Sequence, residues 1–129
     1  IGFPGEKEKD ILETIKLNNL VKPPYCSMSY LQPWEGTAIR KSAIGKGNLG
    51  HDFSEIEALL FQQKVSPLTK LDVSPELMAH YHDMFTYYVY LNRFIWPLIK
   101  FAGNENVIQK FVKSILDMLL DSRLRNYRY

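Results

Sequence analysis

The chain has 129 residues, of which 46% are hydrophobic and 23% charged, and its formal net charge is +2. The length leaves no room for a second core of ordinary size, so a single helical domain is expected over residues 1–129. The small net charge gives no reason by itself to expect nucleic acid or an anionic membrane as the partner. The single cysteine, Cys26, excludes an internal disulfide framework and favours an intracellular, reducing compartment.

Residues 1–50 predict a helix followed by an extended arm. The stretch EKEKDILETIKLNNL opens with acidic residues and has a modest apolar stripe, which predicts a helix over about residues 7–19. The stripe consists of Ile11, Leu12, Ile15, Leu17 and Leu20. Residues 21–50 contain three prolines and several large side chains without a period. An irregular segment of this length is expected to lie across a surface, either of its own chain or of a partner.

The arm ends in GKGNLG, residues 45–50, which has the spacing of a phosphate-binding glycine loop. No hydrophobic strand precedes the motif, and the remaining chain is too short for a complete dinucleotide-binding fold. A flexible glycine loop is therefore the favoured interpretation. The nearby cations Arg40, Lys41 and Lys46 are candidates for contact with phosphate, RNA or lipid headgroups.

Residues 51–129 are expected to form a helical core. A capping-box pattern at residues 54–57 predicts a short helix over residues 52–63. No apolar run reaches the ~20 residues that a membrane-spanning helix needs, so no transmembrane span is expected.

A long central helix is predicted from the start signal Ser74–Pro75 to Ala102, because apolar residues recur there with a period of 3.6. Pro97 is expected to kink or split this helix near Trp96. Asn92 lies on the main apolar face, where it is either buried and hydrogen-bonded or exposed to a wet groove. The opposite face carries a second aromatic line with an arginine beside it: Tyr87, Tyr90, Phe94 and Arg93.

A C-terminal helix is predicted over about residues 105–125, after a tight turn at Gly103 and Asn104. Its predicted core face consists of Val107, Ile108, Phe111, Val112, Ile115, Met118 and Leu119. A second stripe, Leu116, Leu120 and Leu124, adds more apolar surface than one core needs. The predicted fold is all-α, with four to five helices and a long proline-interrupted central helix packed antiparallel on the C-terminal one.

The sequence contains no constellation that predicts catalysis, a cofactor or a metal ion. His80 and His82 are two residues apart, so a helix directs them away from each other, and His80 with Asp83 is at most half a metal site. Nothing near Cys26 marks it as an activated nucleophile.

Surplus apolar surface predicts a non-catalytic interaction or assembly module, for instance an accessory subunit that binds another chain or itself. The predicted contact residues are the aromatic line with its arginine and the leucine stripe: Tyr87, Tyr90, Arg93, Phe94, Leu116, Leu120 and Leu124. The tail alternates cations and tyrosines, so Arg123, Arg125 and Arg128 join the loop cations as candidate anion contacts.

Two alternatives remain open. One is a basic protein that touches nucleic acid, the less favoured partner, or the surface of a phospholipid membrane. The other is a small ligand-binding protein or enzyme with an aromatic pocket between helices.

Overall fold

The computed structural model describes residues 1–49, 66–103 and 106–125, and these form five α-helices and no strand. The predicted all-α fold is therefore confirmed. The helix predicted over residues 52–63 lies outside the described residues. The observed helices are α1 (Glu8–Val21), α2 (Ala38–Gly45), α3 (Pro75–Tyr90), α4 (Trp96–Phe101) and α5 (Val107–Arg125).

The chain divides into two compact units. The first contains residues 1–11 and 28–79, and its buried side chains include Tyr30, Ala43, Leu68, Val73 and Met78. The second contains residues 12–27 and 80–129, and its buried side chains include Ile15, Tyr81, Met84, Phe85, Tyr88, Val89, Ile99 and Leu116. The organisation of residues 1–129 as a single domain stays a prediction.

Helix α1 begins and ends close to its predicted bounds, but it buries only part of its predicted apolar stripe. Ile11, Ile15 and Asn19, each four residues from the next, are its buried residues, while Leu17 and Leu20 are exposed. The helix stops at Lys22, which has a left-handed φ of 51° and donates its backbone N–H to the carbonyl of Asn18 at 2.8 Å.

Helix α2 lies within the segment predicted to be irregular, so that prediction is wrong for residues 38–45. Thr37 has extended backbone angles, and its hydroxyl accepts the backbone N–H of Arg40 at 3.2 Å, which is the geometry of a helix N-cap. Ala43 is the buried residue of this short helix. The GKGNLG motif begins at the end of this helix. Gly45 is the last helical residue, and Gly47 has a φ of +62°.

Helix α3 begins at Pro75, as predicted, because Ser74 accepts the backbone N–H of Leu77 at 3.3 Å. It ends at Tyr90, well before Ala102. The interruption predicted at Pro97 therefore begins earlier in the chain.

The interruption is made by Asn92. This residue is extended, and its side-chain oxygen accepts the backbone N–H of Phe94 at 3.2 Å, which starts a short 3₁₀ turn over residues 93–95. Helix α4 then starts at Trp96 with Pro97 in its first turn, where a missing N–H breaks no helical bond. Asn92 is exposed, so of its two predicted environments the buried one does not apply.

Helix α5 turns a face to the interior that only partly overlaps the predicted one. Leu116 and Leu120 are buried, whereas Val107, Ile108, Phe111 and Met118 are exposed. The predicted core face is therefore wrong for these four residues, while its other members, Val112, Ile115 and Leu119, are half-buried. The leucine stripe lies deeper in the interior. Both stripes have the helical period, and the packing of α5 against α3 and α4 decides between them.

Candidate functional site

A buried amide organises the end of α3. Asn19 is 7% exposed, and its side-chain nitrogen donates to the carbonyls of Tyr88, Val89 and Leu91 at 2.8, 2.8 and 3.0 Å. The carbonyls of Tyr88 and Val89 lie in the last turn of α3, where regular helical bonding ends, and that of Leu91 lies just beyond it. Asn19 therefore replaces the backbone bonds that the break in the helix removes.

Two cations also form hydrogen bonds at the end of α3, which we call the junction. The guanidinium of Arg93 donates to the side-chain oxygen of Asn19 at 3.2 Å and to the carbonyl of Lys16 at 3.3 Å. The ammonium of Lys22 donates to the carbonyl of Val89 at 2.5 Å. Both cations lie where the end of a helix concentrates negative partial charge, and the hydrogen bonds fix their positions.

Aromatic side chains complete this junction. The hydroxyl of Tyr90 donates to the carbonyl of Pro23 at 2.6 Å, which ties the segment after α1 to the end of α3. The guanidinium carbon of Arg93 lies 5.7 Å from the centre of the Trp96 ring, within the range of a cation–π contact. The indole N–H of Trp96 donates to the carbonyl of Tyr88 at 3.2 Å.

A cavity of about 400 Å³ lies at this junction. Its lining consists of three cations, two aromatic rings and two amides: Lys22, Arg93, Arg123, Tyr90, Phe94, Asn19 and Asn92. No residue of this lining is acidic. The cavity is therefore positively charged and has both apolar and hydrogen-bonding walls.

Lys22 is close enough to the other two cations of the cavity to be influenced by their charges. The pKa of Lys22 is lowered from its ordinary value, chiefly by burial and further by the positive charges of Arg123 and Arg93. An anion bound between these like charges would offset their repulsion.

The structure brings together four of the residues predicted from sequence. Tyr90, Arg93 and Phe94, predicted as protein contacts, line the same cavity as Arg123, predicted as an anion contact. Phe94 is 91% exposed, whereas Tyr90 is buried. Tyr90 therefore belongs to the interior, which corrects the assumption that the whole aromatic line is surface.

The other predicted contact residues have different environments. Tyr87 is half-buried and donates its hydroxyl to Asp117 on α5. The pKa of Tyr87 is raised, first by burial and then by the hydrogen bond and charge of Asp117. Leu116 and Leu120 are buried and Leu124 is half-buried, so the assumption that this stripe is surplus to the core is corrected as well.

The remaining candidate anion contacts lie elsewhere in the chain. Arg40 and Lys41 are on α2, and Lys46 directly follows it. Arg125 is exposed at the end of α5 and is not part of the cavity lining. Arg128 lies outside the described residues.

Asn19 and Lys22 are the site residues that sequence reasoning missed. Asn19 continues the line Ile11–Ile15 at a spacing of four residues, which is the one signal that marks it as inward-facing. Lys22 carries no signal of its own, because its position depends on the left-handed turn that ends α1.

The exposed apolar side chains of α5 form a second candidate site. Val107, Ile108, Phe111 and Met118 are 82, 65, 66 and 63% exposed, and helical geometry places them on one side of the helix. We call these four residues the α5 apolar face. Phe94, Leu98 and Phe101 are also exposed, in the segment before α5.

His80 and His82 contact different side chains. His80 lies 3.2 Å from the hydroxyl of Tyr88, and it is His82, not His80, that pairs with Asp83, at 3.2 Å. Within residues 1–49, 66–103 and 106–125 there is no group of three or more potential ligands that could hold a metal ion.

Acid is expected to destabilise the native state through His80. The pKa of His80 lies below its ordinary value of 6.5, first because of burial and then because of the charge of Lys100, with Asp83 opposing both. The unfolded state therefore takes up a proton at a higher pH than the native state. This contribution to stability is complete above about pH 6.5 and is lost as the pH falls through the native pKa.

Thermal unfolding between about pH 7.5 and about pH 5 checks this expectation. The midpoint should fall less steeply in His80→Gln than in the unsubstituted chain. Equal slopes for the chain with and without His80 would contradict it.

Comparison with known proteins finds no family model that matches this chain, and no curated protein or solved structure similar to it. Among the described residues, no helix has the length and apolar character needed to cross a membrane.

Proposed function

We propose that this protein is a non-catalytic helical interaction module whose α5 apolar face binds another protein chain. The observation that carries the proposal is the exposure of four large apolar side chains on one side of a 19-residue helix. A contiguous apolar surface on a folded protein generally marks a contact site.

The size of these side chains supports a stable contact. Complete burial of a Val, Ile, Phe or Met side chain contributes about 1.5–3 kcal/mol, so the four residues together offer several kcal/mol to association. Part of this is offset by the freedom lost on binding. Exposed Lys110, Ser114 and Asp117 flank the face and provide the polar rim that protein interfaces commonly have.

The partner in this proposal is a helix or a groove of matching period, because the exposed residues repeat with helical spacing. It is either a second copy of this chain or a subunit of a larger complex. The single cysteine, Cys26, is a free thiol, which supports an intracellular, reducing setting for that complex.

The double variant Phe111→Ser with Met118→Ser is expected to abolish association without unfolding the chain, because both side chains lie outside the core. Light scattering after size exclusion measures self-association, and capture from native extract measures binding to other proteins. Thermal unfolding reports whether the fold is kept.

The matched control is Leu17→Ser with Leu20→Ser on α1, which removes two exposed apolar side chains from a different helix. This control should associate like the unsubstituted chain. The proposal fails under two joint outcomes. The unsubstituted chain is monomeric at about 100 μM, far above the Kd of a stable complex, and the α5 variant captures the same proteins from extract as the unsubstituted chain does.

A further inference from the structure

The cavity at the end of α3 has more positive charge than the fold needs. Lys22 and Arg93 each donate a hydrogen bond to a backbone carbonyl, and Arg93 also donates to the side chain of Asn19. These two cations therefore have structural roles. Arg123 adds a third positive charge to the lining, which contains no acidic residue. Like charges around one cavity repel one another, and an anion bound between them would offset that repulsion.

The donors of this cavity are preorganised. Two N–H groups of Arg93 are used in the bonds that fix its position, and its remaining N–H groups can serve a ligand. Lys22 likewise uses its ammonium in one bond to Val89. Because these side chains are already held in place, a ligand loses less free energy in ordering them.

The charge and shape of the cavity favour a phosphoryl group over a carboxylate. A phosphoryl group carries up to two negative charges and three oxygens, which suits a cavity lined by three cations, whereas a carboxylate has one charge. The volume of about 400 Å³ lies in the range of sites for small molecules. The exposed ring of Phe94 offers an aromatic face to the rest of the ligand.

We propose that this cavity binds a small phosphate-bearing ligand, with its phosphoryl oxygens among Lys22, Arg93 and Arg123 and its planar or apolar part against Phe94. The proposal does not depend on the α5 apolar face, since it uses different side chains. It therefore stands or falls separately from the proposed interaction function.

Isothermal titration of the full chain with inorganic pyrophosphate and with adenosine triphosphate, at low salt, tests the proposal. Both probes should bind, and their affinity should fall as salt is raised. Arg123→Gln should weaken both by about tenfold or more, because it removes one of the three cations. Arg123 is exposed, so this substitution leaves the core intact.

Lys110→Gln is the matched control for charge. It makes the same change in net charge on the same helix, but it lies about 20 Å from Arg123 by the rise of an α-helix. The affinity of this variant for both probes should stay within about twofold of that of the unsubstituted chain, at a salt concentration that screens charge interactions over this distance. Equal weakening by the two substitutions would show non-specific attraction and overturn the proposal.

Phe94→Ala tests the aromatic contact. It should weaken the binding of adenosine triphosphate by about fivefold or more and leave the affinity for pyrophosphate unchanged, because only the nucleotide has a ring to stack. Phe101→Ala, which removes another exposed ring outside the cavity lining, should change neither. Loss of pyrophosphate binding in Phe94→Ala would contradict the assigned orientation.

The source of the phosphate is distinguished by vesicles. Binding to phosphatidic acid vesicles, but not to pyrophosphate or the nucleotide, assigns a lipid headgroup provided that Arg123→Gln abolishes it. Binding to the soluble probes assigns a free phosphorylated molecule. Absence of binding to all three, or binding only to a single-stranded oligonucleotide, overturns the proposal.

Discussion

Replacement of Asn19 by aspartate is expected to destabilise the native state by about 2–4 kcal/mol. The substitution keeps the shape of the side chain but exchanges its donating nitrogen for a charged oxygen. That oxygen would face the carbonyls of Tyr88, Val89 and Leu91, which now accept from the amide. Arg93 offsets part of the loss, because it already donates to the other side-chain oxygen.

Urea unfolding of Asn19→Asp and Asn18→Asp measures this effect. Asn18 is the neighbouring residue on α1, and its side chain donates to the carbonyl of Thr14 at a more exposed position. Both variants place the same charge near the end of the same helix, so their difference isolates the buried contacts at residue 19. Equal destabilisation by the two substitutions would show that Asn19 does not support the end of α3.

Leu116→Ala is expected to destabilise the chain by about 3 kcal/mol, because it removes a fully buried side chain and leaves a cavity. Met118→Ala is expected to change the free energy of unfolding by less than about 0.5 kcal/mol, since Met118 is 63% exposed. Helical propensity favours alanine similarly in both cases, so the comparison reports burial.

Chemical denaturation of the two alanine variants decides which face of α5 is internal. A larger loss of stability in Met118→Ala than in Leu116→Ala would restore the core face that the amino-acid pattern predicts. The structure requires the reverse order. The result also bears on the proposed interaction surface, which depends on Met118 being outside the core.

Local signals in the sequence were sufficient to predict a helix boundary where one or two residues determine the backbone conformation. Ser74 and Pro75 predicted the start of α3 correctly, because a side-chain cap and a proline in the first turn both act within a few residues. The same logic applies to Thr37, the N-cap of α2, but the surrounding prolines and glycines concealed that signal.

The candidate cavity was only partly predictable. Arg93 and Phe94 were predicted as contact residues because they belong to the second aromatic line, opposite the main apolar face of the central helix. Arg123 was predicted because it belongs to a basic tail. Their common location with Lys22 depends on the break at Asn92, which ends α3 early and leaves carbonyls for Asn19. Contacts between residues about seventy positions apart leave no periodic pattern in the sequence.

The sequence by itself determined that this protein is helical and placed most of its described helices, because capping residues and a 3.6-residue period act locally. Only the tertiary structure decided which stripe of α5 is internal and which cations meet in one cavity. The physical reason is that two apolar stripes on one helix have similar free energies of burial. The helices packed against α5 therefore select the inward face, and the opposite one, with Phe111 and Met118, is left exposed.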